Sequence, residues 1–245
     1  MLPKTFLLAP AMAVAVAASP IASAASPPAF GVEHATRSVA YQMFTGDGSN
    51  WPTMSSWATF ETMWDNSQAV MRTSCTQFGQ NNNSPGEIED IRNAINHIAD
   101  ASGVDRRIIL AIIMQESGGC VRAPTTVGSH ANPGLMQDHD GVHSCNNGGV
   151  VQYNCPTHTI YGMIQEGTQG TRTGDGLQQL LAQAGGGHTA HGNYVAARLY
   201  NSGSYQWGTD LSAPQWGTSC YASDIVNRLL GWDAPATPCT LPNPR

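Results

Sequence analysis

The chain has 245 residues, with 11 Lys and Arg against 17 Asp and Glu, and a formal net charge of −6. That balance gives no electrostatic attraction to nucleic acid or to an anionic membrane, so neither is expected as a partner. Lys4 is the only lysine, which leaves the chain beyond it without a Schiff-base amine, a pyridoxal-phosphate anchor or a phosphate-loop lysine.

Residues 1–24 read as an export signal. Lys4 supplies the positive start, Phe6 to Ala18 is a run of apolar and small residues, and Ala22-Ser23-Ala24 has the small-x-small form of a signal-peptidase site. The run is shorter than the roughly 20 apolar residues that cross a bilayer. A secreted, extracellular protein is therefore expected, and its 6 cysteines suit an oxidising compartment. They form no C-x-x-C pair, which argues against zinc or thioredoxin-like chemistry. Several pairings are open. The reading favours Cys145–Cys155 as a local loop closure and Cys220–Cys239 as a pin on the C-terminal tail, leaving Cys75–Cys120 to tie an early helix to a later one.

Residues 25–83 are expected to be an N-terminal extension that packs one or more helices on the core. Trp57, Phe60, Met63, Trp64 and Met71 recur at spacings that suit one helical face. Asn82-Asn83-Ser84 has the form of a glycosylation sequon. Residues 84–245 follow as the main domain. Ser84-Pro85-Gly86-Glu87 is a helix start in which serine caps, proline fits the first turn and glutamate reaches back to the capping amide. Ile88, Ile91, Ala94, Ile95 and Ile98 form the buried stripe of that helix.

Asp105 is the next N-cap, and the helix from Arg106 to Glu116 is apolar nearly all round, which places it at the centre of the domain. Further helices are expected over about 156–166, 177–183, 192–201 and 220–230. Strand signals are weak throughout. The fold class is thus mainly α, an α-rich single domain with long, disulfide-held loops.

Glu116 carries the most chemical information. It follows Ile112 and Ile113 on the apolar side of the central helix, and Gly118-Gly119 ends that helix directly afterwards. Desolvation and the negative end of the helix dipole both disfavour its charged form. A carboxyl that holds its proton near neutral pH is what glycoside cleavage needs to protonate a leaving oxygen. The plain alternative is a solvated helix-end carboxylate, or one paired with an arginine.

Ala111 to Gly119, with Glu116-Ser117 near its end, resembles the catalytic helix end of soluble lytic transglycosylases and goose-type lysozymes. Gly134-Leu135-Met136-Gln137 is similar to the GLMQ motif of that superfamily, and Ala197 to Gly203 to its helix ending in A-x-YN-x-G. Ile160-Tyr161-Gly162 is a fainter echo of a further family helix. The match covers about residues 84–230, and the whole chain resembles secreted fungal proteins with a lysozyme-like domain. The resemblance implies a lysozyme-like fold and cleavage of β-1,4 bonds in N-acetylated polysaccharide, peptidoglycan first, by a monomer without a cofactor. Glu116 would be the acid and later the base. Ser117 would position the acid or the sugar, Gly134, Met136 and Gln137 would line the glycan groove, and Tyr200 and Asn201 would close the site. The Tyr200 hydroxyl would bond close to the carboxyl.

The chain departs from the family in Gln137-Asp138-His139-Asp140-Gly141, where an apolar residue and a proline region are usual. An inverting hydrolase needs a second carboxylate roughly 6.5–9.5 Å from the first, and a transglycosylase does not. Asp138 and Asp140 are the candidates, and loop aspartates that cap local amides are the alternative. An acidic chain gains no pull toward an anionic bacterial wall, which sets a chitinase or chitosanase beside the peptidoglycan reading. A glycan-binding or effector protein without turnover is the third reading. His130, His139, His143 and Asp140 lack metal-site spacing in the sequence, so no metal is expected. Ser117 lacks a nucleophile elbow, and Glu166 is expected to be a surface acid. The tryptophans in helical stripes, such as Trp57 and Trp64, suit a core, whereas Trp207 and Trp216 suit a sugar-binding groove.

Overall fold

The computed structural model describes residues 39–244. The export signal expected over residues 1–24 and the start of the extension lie outside the described residues. The architecture is mainly helical: α1 Phe60–Met71, α2 Pro85–Ser102, α3 Arg106–Glu116, α4 Thr157–Gln169, α5 Leu177–Gln183, α6 Ala190–Ser202 and α7 Tyr221–Leu229. Two small antiparallel hairpins interrupt the helices, β1 Thr126–Val127 with β2 Ala131–Asn132, and β3 Asn146–Asn147 with β4 Val150–Val151. Among the described residues no helix is long and apolar enough to cross a membrane.

The capping residues set the helix starts as the sequence suggests. The Ser84 hydroxyl accepts from the Glu87 amide while the Glu87 carboxylate accepts from the Ser84 amide, closing a capping box on α2. Asp105 caps α3 by accepting from the Arg107 amide. In α3 every residue from Ile108 to Met114 is buried, and the helix packs on α1, α2 and α7. Burying each large apolar side chain there contributes about 1.5–3 kcal/mol, which makes α3 the post around which the others assemble. Ile88, Ile91, Ala94, Ile95 and Ile98 are buried as a single stripe of α2.

The extension is part of the same core. Trp57, Phe60, Met63, Trp64 and Met71 are all buried, although Trp57 precedes α1, whose cap is Thr59. The Tyr41 hydroxyl donates to Asp224 Oδ1 at 2.7 Å, and the Gln42 amide donates to Asn227 Oδ1 at 2.8 Å, which fastens this segment to α7.

Three disulfides hold the loops. They join Cys75 to Cys120, Cys145 to Cys155 and Cys220 to Cys239, the pairs favoured from the sequence. A buried ion pair between Arg122 and Glu87 adds a further tie. Glu87 also accepts from the Cys155 amide at 2.9 Å, and the Arg122 Nε donates to the Gln152 carbonyl at 3.0 Å. The carboxylate that caps α2 therefore also anchors the Cys145–Cys155 loop. Both charges are satisfied, as buried charges must be.

Candidate active site

Glu116 is the last residue of α3 and is half-buried. The turn that follows it is fixed from three sides. The Ser117 hydroxyl donates to the Ile113 carbonyl at 3.1 Å and to the Leu135 carbonyl at 2.8 Å. Asn83 donates from Nδ2 to the Met71 and Gly119 carbonyls and accepts from the Val121 amide. Gly119 has φ +74°, and a Cβ there would lie 2.6 Å from Met71 Cγ, so only glycine permits this close return of the chain.

The hydroxyl that meets the carboxyl belongs to Tyr221, at the start of α7. It donates to Glu116 Oε1 at 2.5 Å. Burial pushes the Glu116 carboxyl up to about 7, with the Tyr221 hydrogen bond pulling the other way. Tyr221 itself is held well above the ordinary tyrosine range by burial and by the charge of Glu116, so it stays a donor. Polar contacts between α3 and α7 fix its position. Gln115 donates to Asp224 Oδ2 at 3.1 Å and accepts from Arg228 Nε at 2.8 Å.

Tyr200, expected to bond close to the acid, donates instead to the Met136 carbonyl at 2.9 Å. It is far above its ordinary pKa through burial, then through the charges of Asp138 and Glu116. Tyr200 thus stands within electrostatic reach of both carboxyls and links the Gly134–Gln137 turn to α6. The reason for the difference is packing: Gly167 on α4 leaves room for the Tyr200 hydroxyl and the Met136 side chain, and a Cβ there would come within 2.9 Å and 2.5 Å of them.

The remaining expected residues divide. Ser117, Gly134 and Met136 are buried, so their work is to hold the turn rather than to line a groove with side chains. Gln137 and Asn201 do face a cavity of about 510 Å³, together with Asp138, Tyr200, His130 and His139. Glu116 is not on its wall. Within it, Gln137 donates to the Pro124 and Gly134 carbonyls at 3.2 and 3.0 Å. The Asn201 side-chain oxygen accepts from Arg198 and from the Thr218 amide, which clasps the loop after α6.

The two candidate second carboxylates behave oppositely. Asp140 is exposed at the loop surface and is held below its ordinary value, first by a hydrogen bond from His130. Asp138 is 4% exposed, and among the described residues neither carboxyl oxygen makes a well-aligned hydrogen bond, Glu166 being the charged neighbour that acts on it. Burial, then the charge of Glu166, raises it to about 8. Glu166 is not the surface acid expected of it. It is largely covered, accepting from the Val142 and His143 amides at 3.1 Å each and bonding His143 Nδ1 at 2.8 Å. The apolar neighbours on α4 gave it no distinguishing pattern, because its partners come from the loop.

Of the tryptophans, Trp51, Trp57, Trp64 and Trp232 are buried, whereas Trp207 and Trp216 are 60% and 56% exposed on the loop after α6. Another cavity, about 940 Å³, surrounds the opposite end of α3 at Asp105, Arg106 and Arg107. It lies about 16 Å along the helix axis from Glu116.

No protein-family model matches the chain, and no curated protein or solved structure matches it significantly.

Proposed function

We propose that the chain is a secreted glycan-cleaving enzyme of the lysozyme type, acting on β-1,4 bonds of N-acetylated polysaccharide, peptidoglycan foremost. The observation that carries this reading is the Glu116 carboxyl, which burial brings to about 7 at the end of a core helix while a phenol donates to it at 2.5 Å. Such a group is protonated in a large share of molecules near neutral pH, as a general acid must be. It is mostly covered but keeps some surface open to solvent. Tyr200, whose titration feels the Glu116 charge, stands with Asn201 on the wall of a separate cavity of about 510 Å³ that Glu116 does not line.

In the proposed reaction Glu116 gives its proton to the glycosidic oxygen as the bond from C1 to that oxygen breaks. The resulting carboxylate is stabilised by the Tyr221 hydroxyl, and it then takes a proton from the hydroxyl that attacks C1. That hydroxyl belongs either to water or to the sugar's own C6. Water activation on the opposite face requires an ionised partner. Asp138, raised to about 8, holds its proton at neutral pH and is a poor base there. Asp140 is ionised, but its carboxylate is engaged by His130, Thr173 and the Ala131 amide on the loop; the single-carboxyl route, with an anhydro product end, is the favoured form.

Chitosan is the second substrate reading, because a chain of net charge −6 attracts a cationic polymer and not an anionic wall. The test is mass spectrometry of peptidoglycan, chitin and chitosan digests by the protein and its Glu116→Gln variant. The expected result is anhydro-ended peptidoglycan fragments, with turnover by the variant lower by about 10²–10⁴-fold. Equal cleavage by both proteins removes Glu116 from the mechanism. Glycan binding without product from either protein leaves a binding or effector role on this fold.

A further inference from the structure

A second group of side chains, built from loops rather than from α3, lies beside the 510 Å³ cavity, with His130 and His139 on its wall. His130 lies in the β1–β2 turn, and His139 and Asp140 lie in the loop after Gln137. Their donor atoms all fall within 4.8 Å of one another. His130 Nδ1 is 3.1 Å and His139 Nε2 is 3.6 Å from the same oxygen, Asp140 Oδ2. The two imidazole rings are 3.8 Å apart between centroids. His143, which completes the histidine group in the sequence, is separate and bonds Glu166.

Nitrogen and oxygen ligands at about 2.0–2.1 Å around a tetrahedral ion stand about 3.3 Å from one another. The Asp140 oxygen, at 3.1 and 3.6 Å from the two imidazole nitrogens, is close to that spacing. The carboxylate is already oriented from behind: Asp140 Oδ1 accepts from the Ala131 amide at 3.2 Å, and Oδ2 accepts from the Thr173 hydroxyl at 3.2 Å. The two loops are joined at the same place, where the Asp140 amide donates to the Ala131 carbonyl at 2.8 Å. The Thr171 hydroxyl donates to the His139 carbonyl at 2.7 Å and holds that end of the loop. Ligands supported in this way by outer hydrogen bonds are a general property of metal sites.

We propose that His130, His139 and Asp140 bind a divalent transition metal ion of the zinc, nickel or copper class. Two imidazoles and one carboxylate suit these ions and not magnesium or calcium, which take all-oxygen sets. Three protein donors leave a coordination position open, and the side chains are 46%, 38% and 37% exposed, so that position faces the cavity or solvent. A bound ion would cross-link the β1–β2 hairpin to the loop carrying Gln137 and Asp138, and it would offer a Lewis-acidic contact to an oxygen of whatever the cavity holds. This inference does not rest on the glycan-cleaving reading.

The experiment is calorimetric titration of the purified, chelator-treated protein with Zn(II), Ni(II) and Mg(II), followed by thermal unfolding with and without each ion. One equivalent of Zn(II) is expected to bind and to raise the melting temperature, with Mg(II) inert. His130→Ala and His139→Ala are each expected to weaken Zn(II) binding at least tenfold and to abolish the rise. His158→Ala, at an exposed histidine elsewhere, should leave both unchanged. Because the two ligand histidines are over a third exposed, their variants should keep the wild-type circular dichroism spectrum, which is recorded in parallel. Absence of Zn(II) binding, or binding unaltered by both ligand substitutions, overturns the proposal. An equal response to Mg(II) does so as well.

Discussion

The contact between Tyr221 and Glu116 joins two residues far apart in the chain, and its removal has a definite sign. The hydrogen bond favours the ionised carboxylate and lowers a pKa that burial raises. Tyr221→Phe should therefore move the alkaline limb of the pH–activity profile upward and lower turnover on the order of tenfold, the worth of one hydrogen bond to a charged group. A profile that stays in place would show that the two groups do not act together. The carboxyls also bear on stability. Glu116 and Asp138 reach about 7 and about 8 in the folded chain from ordinary values of 4.5 and 3.8. Between these limits the folded state binds more protons than the unfolded one, so stability is full below about pH 4 for these groups and is lost as pH rises through 7 and 8. The melting temperature should fall between pH 5 and pH 8. Asp138→Asn should flatten that fall and add about 1–3 kcal/mol at pH 8, since a buried acid without partners is then never forced to ionise. An unchanged slope in the variant would assign the pH dependence to other groups.

At the scale of elements, the site depends on how closely loops can approach helices. Gly167 lets Met136 and the Tyr200 hydroxyl lie against α4, and the added methyl of Gly167→Ala would stand 2.5 Å from Met136 Cβ. The substitution should cost about 1–3 kcal/mol by overpacking, read by denaturant unfolding, and should lower activity further by shifting Tyr200. The helices themselves were largely legible in the sequence. Ser84, Glu87 and Asp105 announce their helices by local capping chemistry, and α5 falls on residues 177–183 as expected. The expected helix over about 156–166 runs on to Gln169, and that over 192–201 extends to Ala190–Ser202. Glu116 was legible for the same local reason, an acid at the end of an apolar helix before two glycines. Tyr221 was not, because nothing near Cys220 or Ala222 signals a partner on α3. The pairing of Asp138 with Glu166 was equally hidden, because it depends on a loop folding back over α4, which no periodicity records.

For the molecule as a whole, the three disulfides divide the stabilising work by the length of chain each encloses. In the chain-entropy account a bond across 45 residues contributes about 4 kcal/mol and one across 10 about 2.7 kcal/mol. Replacing Cys75 and Cys120 by serine should therefore lower the melting temperature more than replacing Cys145 and Cys155, in scans run side by side. The reverse order would mean that the loops are ordered by their own packing. The remaining bond has a different bearing, because Cys220 directly precedes Tyr221 and Cys239 lies beside Thr237, whose hydroxyl donates to Asp224 at 2.7 Å. The phenol that serves the acid is thus tethered at its own doorstep by a covalent bond that forms only under oxidising conditions. On the proposed reading, a chain kept in a reducing cytoplasm would carry Glu116 and Tyr221 yet leave that tether undone, so that export would also be the step that finishes assembling the site.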